Sequence, residues 1–132
     1  MLDARLANDS VSVAIIGLCD LRAMKDRRWP WLVLVPRRPG ISEIFELTPL
    51  DQTLLTFETN TVAAALKQVT GATKINVGAL GNIVRQLHVH IVARSEGDPA
   101  WPGPVWGHGK TEPYRDEDLN IFVSKVREAL SS

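Results

Sequence analysis

Residues 84–94 read V-R-Q-L-H-V-H-I-V-A-R, and in an extended chain successive side chains point to opposite faces. Leu87, Val89, Ile91 and Ala93 then share an apolar face that must be core, while Gln86, His88 and His90 share the other. Neighbours on that polar face stand about 6.5–7 Å apart, a spacing that can grip a tetrahedral anion from successive positions. A strand merely showing its polar side to water is the plainer alternative. Two of the chain's three histidines at i and i+2, just after the turn Gly78-Ala79-Leu80-Gly81-Asn82, argue against it.

Outward from this stretch, residues 74–77 (KINV) read as the preceding strand. Near the N-terminus, residues 11–19 (VSVAIIGLC) are β-branched and apolar, Asp20 breaks them, and residues 21–25 return as a second strand. The Arg27-Arg28-Trp29-Pro30 corner leads into residues 31–35 (WLVLV), a third strand stopped by Pro36, Pro39 and Gly40. Tight connections between short strands favour an antiparallel meander over βαβ units. Thr48-Pro49 opens a helix, with Thr48 as N-cap, and Gly71 closes it as a left-handed cap. Leu50, Leu54, Phe57, Ala65, Leu66 and Val69 predict its buried face; Asp51, Gln52, Glu58 and Lys67 are expected in water. After Arg94 comes an irregular Pro/Gly/Trp stretch to about Pro113. Leu119, Phe122, Val123, Val126 and Leu130 then mark a C-terminal amphipathic helix. The expected fold is α+β: a five-stranded antiparallel sheet, one long helix and a C-terminal helix, in a single domain spanning residues 1–132.

Composition narrows the function. The chain has 132 residues, 45% hydrophobic and 23% charged, so it can bury a real core without staples. Fifteen basic and fifteen acidic residues cancel, which argues against nucleic acid or an anionic membrane as partner. Its one cysteine, Cys19, excludes an intrachain disulfide and suits a reducing compartment. The apolar run at residues 11–18 is too short for a bilayer, and the N-terminus lacks a basic leader region. A cytoplasmic location is therefore expected, with no cofactor.

Neutral imidazole is a good nucleophile towards phosphorus, and a free histidine with pKa ~6.5 is largely neutral at pH 7. A backbone carbonyl that takes one ring proton leaves the other nitrogen as an aimed lone pair. A second histidine can serve the leaving group as general acid. The turn ahead of the strand can offer backbone N–H groups and the Asn82 amide to phosphoryl oxygens. No glycine-lysine phosphate loop is present. A metal held by His88 and His90 would need a third ligand, and Asp98, His108 and Cys19 show no ligand spacing.

These residues resemble the histidine-triad (HIT) superfamily of nucleotide hydrolases and transferases. Its signature alternates three histidines with apolar residues; here it stands as Gln86-Leu87-His88-Val89-His90-Ile91-Val92, with Gln in the first place. The resemblance covers roughly residues 11–94. It implies a homodimer whose two five-stranded sheets join and which acts on a nucleotide's α-phosphate. By motif position His88 would attack phosphorus and carry the nucleotidyl intermediate, and His90 would contact the phosphate and assist the leaving group. Gly81 and Asn82 would belong to the phosphate-binding turn. Asp26, in the run RAMKD, would hold the ribose hydroxyls, though it reads equally as a plain turn residue. Met24 would touch the base, or else be core.

Two positions depart from the pattern. Gln86 cannot carry charge but can fix a neighbouring ring through its amide. Trp31 stands where many members place another phosphate-site histidine. His108, between Gly107 and Gly109, is the candidate replacement if it is more than an exposed loop residue. Arg85 and Arg94 read as solvated strand-flank charges, and Trp101 and Trp106 as packing residues or a nucleobase cover. A nucleotide-binding module with lapsed catalysis is the competing reading.

Overall fold

The computed structural model describes residues 1–131. Helix α1 (Ala4–Asp9) precedes β1 (Ser10–Ile16), β2 (Cys19–Met24) and β3 (Trp31–Pro36). A short 3-10 turn (Ile44–Glu46) leads into α2 (Pro49–Thr70), followed by β4 (Lys74–Gly78), β5 (Val89–Arg94) and α3 (Asp116–Ser131). The five strands form one sheet in the order β1-β2-β3-β5-β4, and every pairing is antiparallel. This is the expected α+β sheet with its long and C-terminal helices. The small N-terminal helix α1 is additional, capped by the Asp3 carboxylate on the Arg5 N–H. Among the described residues no helix is long and apolar enough to cross a membrane.

Each face of the sheet has its own cover. Leu32 and Leu34 of β3 and Val89, Ile91 and Ala93 of β5 pack in one core with Leu55, Val62 and Leu66 of α2 and Val123 and Val126 of α3. On the opposite face Trp31 and Val92 join Trp29 and Val105 in a second cluster, against which Met24, Ala100 and Trp106 pack. The Pro/Gly/Trp segment after β5 is therefore a cover over that face. It is tied down by Arg94, which is 1% exposed, gives two hydrogen bonds to Asp98 and one to Asn76. Arg94 is thus a buried anchor and not a solvated flank, because its carboxylate partner compensates the charge removed from water.

Three further expectations are corrected. The first hairpin turns at Gly17-Leu18, not at Asp20. Gly17 takes φ +43°, and the Glu58 carboxylate accepts the Leu18 and Cys19 N–H groups at 2.8 and 3.1 Å. Helix α2 begins and ends as predicted: the Thr48 hydroxyl accepts the Asp51 N–H, and Gly71, at φ +65°, donates to the Lys67 carbonyl. Its buried stripe is Asp51, Leu55, Glu58, Val62, Ala65 and Leu66. Ala65 and Leu66 are buried as predicted, but in the first half the stripe is one position on from the apolar reading, and Leu50 and Phe57 are exposed. Asp51 is paired with Arg38 at 2.7 Å and Glu58 with the hairpin N–H groups, so polar side chains occupy core positions with their partners supplied.

Finally, residues 84–88 are not strand. β4 ends with Gly78 opposite His90, and β3 pairs with β5 no further than Leu34 opposite Val89, so no ladder partner remains. The Leu87 N–H bonds to the Ile41 carbonyl instead. Replacing Glu58 with Ala would orphan two buried N–H donors. The expected loss is ~2–4 kcal/mol, read as a lower urea midpoint at unchanged slope.

Candidate active site

His90 sits inside β5 and His88 one residue before its start, so their rings lie on the same side, 4.9 Å apart between centroids. Both are buried, at 6% and 7% exposure, because the segment carrying Trp106 folds over this face. Trp106 meets His90 edge to face at 5.6 Å and lies so close over Gly78 that a Cβ there would stand 3.1 Å from its ring. A side chain at position 78 would therefore push the cover away from the histidines.

Hydrogen-bond direction fixes each ring. His88 Nδ1 lies 2.7 Å from the Gln86 carbonyl oxygen. A carbonyl only accepts, so Nδ1 carries the proton and Nε2 is left with its lone pair. His90 Nδ1 lies 3.0 Å from the Trp31 indole Nε1. An indole N–H only donates, so here Nδ1 accepts and Nε2 carries the proton. The two histidines therefore present opposite functions, an acceptor and a donor. Burial, and secondarily the neighbouring His88, push the His90 pKa down to about 4, which keeps that ring neutral.

The motif's first polar residue, Gln86, does something else. The Gln86 amide accepts from the Asp3 N–H at 2.7 Å and donates to the Met1 carbonyl at 3.2 Å, so its side chain holds the N-terminal segment. It is the Gln86 backbone that orients His88. This orienting carbonyl had no sequence signal beyond its place two residues before the histidine.

Two clefts bear on the site, one lined by His88 and the other bordered by Trp31, the hydrogen-bond partner of His90. Ser42, Glu43, Phe45, Leu80, Gly81 and His88 line the first. Gly81 adopts φ +73°, the left-handed turn conformation, and neighbouring Asn82 is exposed. The second, about 430 Å³ and of the size that holds a small ligand, is lined by Asn8, Asp9, Met24, Lys25, Asp26, Trp31 and Thr111. Trp31 thus borders one cleft while its indole nitrogen reaches the histidine pair.

Asp26 lies at that wall with both oxygens engaged. It accepts from the Arg28 backbone and guanidinium at 2.8–3.3 Å and is 4% exposed. Burial opposes its ionisation, but the Arg28 hydrogen bonds outweigh it and hold the carboxyl below its ordinary range. Arg28 also lies over the Trp29 ring at 4.5 Å and donates to the His108 carbonyl. In this conformation Asp26 anchors Arg28, whose guanidinium reaches the His108 carbonyl, and it also accepts the Glu112 N–H at 3.5 Å. Arg28 itself was missed, although the Asp26–Arg28 spacing was a legible signal for a local pair. The His108 ring is exposed and contacts Trp29 at 6.1 Å, two indoles away from His90. Among the described residues, no three His, Cys, Asp or Glu side chains converge as a metal site would require.

Comparison with known proteins gives a consistent result. A model of the HIT domain matches residues 6–97. A histidine triad protein from Sinorhizobium meliloti is 63% identical, with TM-score 0.96 over 98% of this chain and 96% of that one. Histidine triad proteins from Marinobacter aquaeolei and Bradyrhizobium japonicum are 44% and 42% identical, each with TM-score 0.96. They cover 99% and 98% of this chain, and 96% and 97% of their own. No curated protein matches by sequence.

The His90 shift has a stability consequence. Its pKa is 6.5 in the unfolded chain and about 4 when folded, so below pH 6.5 the unfolded state takes up the extra proton. Stability should fall by ~3 kcal/mol as pH drops from about 6.5 to about 4. Urea midpoints at pH 7 and 4.5 measure the loss, and a His90→Asn variant should lack this share of it.

Proposed function

The chain belongs to the HIT-domain family, and from that premise we propose that it is a nucleotide hydrolase or transferase working at the α-phosphate through a nucleotidyl intermediate on His88. The observation that carries this reading is the Gln86 carbonyl on His88 Nδ1, which leaves Nε2 as the aimed nucleophile.

The substrate's α-phosphoryl group enters beside His88, with the Gly81-Asn82 turn supplying donors to its oxygens. The nucleoside extends past Trp31 and Met24 into the second cleft, and Asp26 serves that cleft by holding Arg28 in place. His88 Nε2 attacks phosphorus, the bond to the leaving group breaks, and the leaving group takes the electron pair. Nδ1–H stays on the carbonyl throughout, so the charge developing on the imidazole is stabilised where it forms. Water then attacks the same phosphorus and gives up a proton to solvent, the P–N bond to His88 breaks, and its electron pair returns to Nε2.

Mass spectrometry of protein briefly mixed with nucleoside substrates should find one nucleotidyl group on His88. His88→Ala should lower turnover by roughly 10³-fold or more, with nucleotide affinity little changed. A module with lapsed catalysis, for which the diverted Gln86 side chain speaks, would form no adduct and have no turnover to lose.

The functional unit is proposed to be a homodimer. β4 is an edge strand with its outer side unpaired among the described residues, and Phe45 and Phe57 are 77% and 69% exposed. Exposed edges and large apolar groups of this kind are normally covered. Sedimentation should give a dimer for the native chain and a monomer for Phe57→Glu.

A further inference from the structure

We infer that Trp31 is the positioning residue that fixes His90 as a neutral hydrogen-bond donor, and that the site is thereby matched to P–O–P substrates, whose leaving group departs as a phosphate anion, over P–N substrates, whose leaving group is an amine. This rests on the nucleotidyl-transfer reading above and deepens it by naming the leaving-group class.

Trp31 is rigidly placed. It pairs with Val92 across the sheet, is 8% exposed, and meets Trp29 edge-on at 6.1 Å. Its indole cannot accept a hydrogen bond, so the 3.0 Å contact holds His90 in the Nε2–H form. Protonating Nδ1 would set two donors against each other in a buried contact, with neither satisfied. Among the described residues no counter-charge faces the His90 ring. β3 faces His90 with Trp31 and Val33, β4 with Gly78, and the cover with Trp106; His88, on its own segment, is the titratable neighbour. The low His90 pKa agrees with this picture.

A neutral imidazole gives a hydrogen bond readily but gives up its N–H proton very reluctantly. That difference sorts leaving groups. When a P–O bond to phosphate breaks, the electron pair stays on an oxygen already stable as an anion, and a hydrogen bond from His90 Nε2–H suffices. When a P–N bond breaks, the pair stays on nitrogen, which must gain a proton as it leaves. That proton has to come from an acid, and His90 held by Trp31 is not one. His108 is no substitute: its ring is exposed and its ring contact is with Trp29, not with His88 or His90.

The test pairs a spectroscopic readout needing no substrate with a kinetic one. Nitrogen NMR of the histidine rings should show His90 protonated on Nε2 and bare on Nδ1 from pH 8 down to pH 5. Trp31→Phe should mix the two tautomers and lower kcat about tenfold with KM nearly unchanged. At pH 7.5 the native chain should cleave a dinucleoside polyphosphate with kcat/KM roughly 10²-fold or more above that for a nucleoside phosphoramidate, the usual worth of a placed acid. Comparable rates on the two substrates, or His90 carrying its proton on Nδ1, would overturn this inference and leave the proposed function standing. Turnover of neither substrate would overturn both. The native-chain measurements decide the matter even if the variant fails to fold.

Discussion

Two imidazoles buried side by side can work only if each knows where its proton is, and here the answer comes from partners with no choice. The Gln86 carbonyl can only accept and the Trp31 indole can only donate, so His88 and His90 are forced into opposite tautomers. Neither partner titrates, so neither can exchange its side of the bond. The cost is burial of two polar rings, and the hydrogen bonds offset it.

Holding those partners still requires the face opposite the helices to be covered. The cover has little regular structure, yet it is fastened at two points by arginine–carboxylate pairs, Arg94 with Asp98 and Arg28 with Asp26. Both are nearly dry, so their geometry counts for more than that of pairs on the open surface. Between them Trp29, Trp31 and Trp106 pack edge to face with one another or with His90, giving the site walls of fixed shape. The sheet supplies position and the cover supplies dryness.

Much of this was legible beforehand. Alternation along β5 placed His88 and His90 on the face away from Val89 and Ile91, and the capping residues of α2 marked both of its ends. What escaped reading depended on partners distant in sequence. Asp51 and Glu58 look like solvent-facing residues until Arg38 and the Gly17 hairpin are brought to them. Arg94 looks solvated until Asp98 folds back. Residues 84–88 have the pattern of a strand and lack only a neighbour to pair with. Trp31 read as a missing histidine, since the worth of a donor-only nitrogen appears only when the acceptor it meets is known.

The thiol of Cys19 offers a different use of the same architecture. It is fully buried beside Glu58, and burial together with that carboxylate pushes it far from its reactive thiolate form. An alkylating reagent can therefore reach it only when the first hairpin comes away from α2. The rate of labelling at this single sulfur becomes a clock for that opening, with no engineered probe needed.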